Sequence, residues 1–189
     1  MNGIILIGAG GHAQSLLGLL NEIRAYVDPK ENPLLSAQGI AHWTEEKLEK
    51  ELVSRPKLAM GFVGLNTAAL QHRLSLFDHY QSKGAHFPKL IHPRAIIDEQ
   101  VVIGSGTQIL AGAVINRGAR IGNAAVINSG AVIEHDANIE DGCHIAPGAI
   151  ILGGAAVGKC SFIGSGAVVV QQAQVQPNQW VRALSIHNN

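Results

Sequence analysis

The stretch IGSGTQILAGAVINRGARIGNAAVINSGAVIEHDANIEDGCHIAPGAII, residues 103–151, decides the fold. Steps of six from Ile103 land on Ile109, Ile115, Ile121, Ile127, Ile133, Ile139, Ile145 and Ile151. The walk reaches back to Ile97 and Ile91 and forward through Val157, Ile163, Val169, Val175 and Val181, sixteen aliphatic hits in one phase. Four residues after each comes a small side chain, among them Ala113, Ala119, Ala125, Ala131, Ala137 and Cys143; the series breaks only at Gln179. A period of six is neither the 3.6 of a helix nor the 2 of a half-buried strand. It fits a parallel β-helix whose flat sides each use six residues, the branched residue filling the interior and the small one letting the chain turn close by. Gly104, Gly122, Gly158 and Gly164 directly follow aliphatic positions and suit tight corners. Three sides make a coil of 18 residues, so residues 91–181 predict about five coils. A β-sandwich would show period-two alternation broken by turn clusters, which this stretch lacks.

The composition divides with the repeat. The chain has 189 residues, 14 basic and 14 acidic, with 47% hydrophobic, only 4% aromatic and 15% charged residues, and 22 glycines. Six of the eight aromatics and 17 of the 28 charged residues fall in the first 90. That shift places a domain boundary near Phe87-Pro88, giving domains at 1–88 and 89–189. Zero net charge argues against a nucleic-acid or anionic-membrane partner, which needs a basic field. Two cysteines, Cys143 and Cys160, make neither a disulfide framework nor a four-thiolate zinc site. The opening MNGIILIGAGGHAQ lacks the basic start and cleavage site of a signal peptide, and no apolar run nears the roughly 20 residues of a membrane span. A cytoplasmic protein is expected.

Before the repeat, strand and helix signals alternate. Ile4–Ile7 reads as a strand ending at Gly8-Ala9-Gly10-Gly11, His12–Ile23 as a helix, and Ala25–Val27 as a strand turning at Asp28-Pro29. Thr44 starts a capped helix running to about Val53; Leu58–Val63 is a third strand and Thr67–Ser82 a third helix. The alternation predicts a small Rossmann-like parallel sheet with helices on its faces. The Gly-rich loop between strand and helix suits a phosphate, since backbone amides face it. Asp28, 20 residues after Gly8, stands where a ribose-binding acid would sit. Three strands make only half a dinucleotide site, so a nucleoside-diphosphate ligand fits better than NAD.

Within the repeat, polar chemistry concentrates in Glu134-His135-Asp136. His135 lies two residues past Ile133, near a corner, and a histidine beside a carboxylate is suited to be a base near neutral pH. One coil later come Gly153 and Gly154, whose missing side chains could leave room for a substrate. His144 is nine residues past His135, and a six-residue side spans at most about 20 Å, so the two can converge only across a subunit interface. Cys143 holds a small inward position and reads as core rather than nucleophile.

The hexads, with GAGGHA at 8–13, LIHPRA at 90–95, and INSGAVIEHD followed by HIAPGA, resemble the left-handed β-helix acetyltransferases. The likeness is to the sialic-acid O-acetyltransferase and UDP-4-amino-sugar N-acetyltransferase type. The resemblance implies acetyl transfer from acetyl-CoA to an amino group of a nucleotide-activated sugar, in a homotrimer with active sites between subunits. It implies His135 as general base, Asp136 raising its basicity, Glu134 and Asn128 in support, and His144, Ser165 and Ala183 at acetyl-CoA. It maps the UDP-sugar onto Gly10, Gly11, His12, Asp28, Gly64 and Asn66. Relatives often have Asp-Asp where Asp28-Pro29 stands, and the Gln-rich end QQAQVQPNQWVRALSIHNN departs from their tail. The same machinery would serve a sugar hydroxyl, and a catalytically silent β-helix with a nucleotide-sensing domain is the reading from another class. Zinc, as in β-helical carbonic anhydrases, needs a closely spaced histidine pair; His92, His135 and His144 supply none, so no metal is expected.

Overall fold

The computed structural model describes residues 3–20 and 22–189. The chain forms two compact units, one made of the chain up to Val63 with Ser75–Pro88, the other of Gly64–Leu74 with Lys89–Asn189.

In the first unit, β1 (Ile4–Ile7), β2 (Ile23–Val27), β3 (Ala41–Trp43) and β4 (Lys57–Met60) form a parallel sheet in the order β3-β2-β1-β4. Ile5, Leu6, Ala25, Leu58 and Met60 are fully or almost fully buried in it. Four strands stand where three were expected. The addition is β3, preceded by α2 (Pro33–Ala37), which Asn32 caps by accepting from Leu34 N and Leu35 N, with Pro33 at the first helical position. The helix expected over 12–23 is α1 (Gly11–Leu17) only; Gly18 closes it and Ile23 already belongs to β2, while Asn21 lies outside the described residues. The strand expected over 58–63 stops at Met60, where Gly61 N donates to Ile7 O. Thr44 caps α3 (Glu45–Glu51) by accepting from Lys47 N, and α4 runs Thr67–Ser82 as expected. Among the described residues no helix is long and apolar enough to cross a membrane.

The second unit is the left-handed parallel β-helix. Seventeen two-residue strands, β5 (Leu90–Ile91) to β21 (Ile186–His187), pair 18 residues apart, as Val126 with His144 and Ile127 with Ile145, and form three sheets. The repeat thus runs one strand past Val181. Inward isoleucines from Ile109 to Ile163 are at most 2% exposed, interleaved with Ala113, Ala119, Ala125, Ala131 and Ala137 at 0%. Each such isoleucine contributes about 1.5–3 kcal/mol of burial. At the first coil the prism is open, and Ile91 is 41% exposed.

From Ile103 onward every turn carries a left-handed residue three positions after the inward aliphatic, glycine at Gly106, Gly112, Gly118, Gly130, Gly142, Gly148, Gly154 and Gly166 but Ala124, Asp136, Cys160, Gln172, Asn178 and Leu184 at the others. Gly104, Gly122, Gly158 and Gly164 have a different cause. A Cβ on Gly122 would lie 2.6 Å from Asp141 N, and one on Gly158 2.6 Å from Pro177 N, so successive coils approach too closely for a side chain.

The outward residues make the three faces unlike. One, through Gln108, Val126 and His144, is buried. Another, through Arg120, Asn138 and Gln174, is polar and exposed. The third presents Ile96, Val114, Val132, Ile150, Val168 and Ile186, an apolar column with Ile96 67% and Ile186 72% exposed.

Candidate active site

Glu134, His135 and Asp136 occupy the corner that follows Val132–Ile133, one edge of the apolar face. Their geometry starts from the backbone. Asp136 takes the left-handed position of its turn (φ +58°), where Asp is among the few tolerated side chains, and its N–H donates to Arg117 O at 3.1 Å. This conformation turns the carboxylate onto the preceding residue: Asp136 Oδ2 accepts from His135 Nδ1 at 2.9 Å. An ionised carboxylate only accepts, so the imidazole proton sits on Nδ1 and the Nε2 lone pair is the basic one. Among the described residues Nε2 has no hydrogen-bond partner, and the side chains of His135 and Asp136 are 58% and 72% exposed. Glu134 Oε2 accepts from Asn116 Nδ2, one coil earlier, at 2.8 Å.

Gly153 does not leave the space the sequence suggested for substrate. The His135 ring fills it: a Cβ on Gly153 would lie 2.6 Å from Nε2 and 2.8 Å from Cε1. Gly154 has only Gln172 Cγ within reach, at 3.6 Å.

His144 and Asn128 sit at the other edge of the apolar face and form a second group. His144 is 2% exposed; its Nδ1 donates to Gly64 O and its Nε2 accepts from Asn128 Nδ2, each at 3.1 Å. Phe162 meets the ring edge-on at 5.1 Å between centroids. Burial pushes the His144 pKa down; the bond to Gly64 O opposes this, and the Arg73 charge reinforces it. The imidazole is therefore neutral and donates through Nδ1. Asn128 Oδ1 in turn accepts from Ser129 N at 2.8 Å. Ser165 and Ala183, both exposed, stack one coil apart on this same corner. No hydrogen bond joins the His135 corner to the His144 corner among the described residues. Sequence reasoning missed Arg73, fully buried, whose Nη1 donates to Ala124 O at 3.1 Å and whose pKa burial lowers to about 9. A lone arginine in a helix gives no sign of such a position.

In the first unit, Gly10 and Gly11 are exposed, with no atom within 4 Å of where a Cβ would sit, so the loop's surface is open to a ligand. His12 follows, half-buried in the first turn of α1. Asp28 fastens this loop: Oδ2 accepts from Ala9 N at 2.9 Å and Oδ1 from Lys30 N at 3.0 Å. Gly64 and Asn66 belong to the β-helix unit, Asn66 Oδ1 capping α4 at Ala69 N (2.9 Å). Burial pushes the Cys143 thiol up to about 12, so it remains a core thiol. No group of three or more metal-ligating side chains forms among the described residues.

The profile of the bacterial transferase hexapeptide family (six repeats) matches residues 100–135 and 118–153. No curated protein matches the chain. The solved structure of PerB from Caulobacter crescentus in complex with CoA and GDP-perosamine is similar: 27% identity, TM-score 0.90, covering 100% of this chain and 90% of that one. The acetyltransferase domain of PglB from Neisseria gonorrhoeae, in complex with acetyl coenzyme A, is 26% identical with TM-score 0.84, over 95% of this chain and 87% of that one. WeeI from Acinetobacter baumannii shares the fold at 18% identity and TM-score 0.73, over 95% and 93% of the two chains.

Proposed function

We infer that this chain, a hexapeptide-repeat acyltransferase, moves the acetyl group of acetyl-CoA to an amino group of a nucleotide-activated sugar. The observation that carries the reading is the His135–Asp136 pair, with its Nδ1 proton fixed and its Nε2 lone pair open. Likeness across the whole chain to an N-acetyltransferase solved with CoA and GDP-perosamine supports the substrate class.

The chemistry follows from the tautomer. Nε2 accepts a proton from the acceptor amine as its nitrogen forms a bond to the thioester carbonyl carbon. Asp136 holds the resulting imidazolium. The tetrahedral intermediate collapses, the C–S bond breaks, and the proton on Nε2 passes to the departing CoA sulfur. Asn128, oriented by His144, with Ser165 and Ala183, lines the corner assigned to the acetyl donor. The open Gly10-Gly11 loop, with His12 beside it and Asp28 bracing it, is assigned to the nucleotide-sugar.

Donor and base corners lie on opposite edges of one face, so a single chain does not join them. A homotrimer would set the base corner of one chain against the donor corner of the next. The apolar column from Ile96 to Ile186 is the surface we assign to that contact, and the cytoplasm is the compartment we assign to the enzyme.

The test is thiol release from acetyl-CoA with a panel of UDP-4-amino-sugars, GDP-perosamine and CMP-sialic acid. An amino-sugar nucleotide releases CoA and His135→Ala abolishes release. Absence of release with every acceptor, or full activity in His135→Ala, overturns the reading; release with CMP-sialic acid alone assigns the hydroxyl acceptor instead.

A further inference from the structure

Gly153 occupies the station two residues past an inward aliphatic. Across the sixteen residues at this station, from Pro93 to Ala183, it is the one glycine. Its neighbours in the same column, Glu99, Arg117, His135 and Gln171, all carry long side chains. No backbone requirement explains the exception, because the left-handed residue of this turn is Gly154, while φ of Gly153 lies outside that region. Nor does close approach between coils, as at Gly122 and Gly158, because the atoms a Cβ would meet are not backbone. They are His135 Nε2 at 2.6 Å, Cε1 at 2.8 Å and Cδ2 at 3.2 Å. The imidazole lies across the bare Cα of the next coil. Gly118, one coil earlier, gives way to the other member of the pair, since a Cβ there would run into Asp136 Oδ1 and lie 3.3 Å from Cγ.

We propose that Gly153 is a positioning residue, the floor that holds the His135 ring so that Nε2 faces the acceptor. The inference rests on His135 being the base. One hydrogen bond, Nδ1 to Asp136, fixes one edge of a ring that is otherwise more than half exposed. It leaves rotation about that bond open, and contact with the Gly153 Cα restricts that rotation. A methyl group at 153 displaces Nε2 while leaving the backbone allowed, because an exposed ring can swing outward. Misplacement of a reacting group by about 1 Å costs up to about a hundredfold in rate.

The experiment compares wild type, Gly153→Ala, Gln171→Ala from the same column, and His135→Ala. Gly153→Ala keeps the wild-type Tm, its kcat falls about ten- to a hundredfold, and KM for donor and acceptor stays within about twofold. Independently of turnover, nitrogen-detected NMR of the imidazoles shows moved His135 resonances in Gly153→Ala. Gln171→Ala changes neither readout. Wild-type kcat and unmoved His135 resonances in Gly153→Ala overturn the floor, as does a loss of Tm with kcat per folded molecule preserved. If His135→Ala is inactive while Gly153→Ala is normal, the base stands and the floor falls. If His135→Ala retains full activity the base falls, and the floor with it as a catalytic device.

Discussion

His144 is held neutral by burial, and acidification should expose that as a loss of stability. An unfolded histidine titrates near 6.5, and the native His144 pKa lies below this. Below pH 6.5 the unfolded chain therefore binds a proton that the native state refuses, so stability is full above that pH and declines as pH falls toward the native pKa. The loss between pH 8 and 5.5 is at most about 1.4 kcal/mol, the linkage of a ring that takes up no proton in the native state over that range. For a chain of this size that is a fall of roughly 3–6 °C in Tm. Thermal unfolding followed by circular dichroism from pH 8 to 5, in wild type and His144→Gln, measures it. The glutamine amide can still donate toward Gly64 O but has no proton to gain. The wild-type curve should therefore bend downward below pH 6.5 relative to the variant. Carboxyls do not confuse the comparison: the hydrogen bonds from Lys83 to Glu49 and Arg24 to Glu51 hold their pKa values below 4.5, so their effect begins at more acid pH. Parallel curves for the two proteins would refute the buried, neutral His144.

Asp136→Asn keeps a residue suited to the left-handed turn but removes the charge that holds the imidazolium; kcat in the CoA-release assay should fall about 10²- to 10⁴-fold with Tm unchanged. Gly164→Ala would press its Cβ into Ala183 N and within 2.7 Å of Ala183 Cα, where backbone cannot yield cheaply. A loss of about 1–3 kcal/mol should appear as a lower urea midpoint, and an unchanged midpoint would contradict the coil spacing. Ile150→Arg, in the middle of the apolar face, should give a folded monomer by light scattering with acetyl transfer lost; a monomeric wild type would remove the trimer.

The β-helix was legible because its period is fixed by geometry: an aliphatic side chain every sixth residue has nowhere to go but inward, as Ile127 and Ile145 do. The corner Glu134-His135-Asp136 stood out in the sequence because it is the one turn of the repeat that sets a histidine between two carboxylates. Shorter-range structure was less so. Leu19, Leu20 and Ile23 continue the helical spacing of α1, and nothing apolar distinguishes the last of them as the start of β2. Three residues of β3 are too few to show alternation. Burial of His144 depends on Gly64, 80 residues away, whose carbonyl it bonds. Such a pairing leaves no periodic trace. Gly153 carried a signal, visible only once residues were sorted by station instead of by sequence.

The constant offset of 18 residues between paired strands bears on how the chain folds. Each rung closes a loop of roughly a tenth of the chain, which keeps the sheet pairings as local as the contacts of a fast-folding helical bundle, relative contact order about 0.07–0.12. Parallel sheets ordinarily gather strands that are distant in sequence, and they fold slowly for that reason. Here each coil needs only its predecessor as a template, so the prism can grow from one end while the ribosome is still delivering the other.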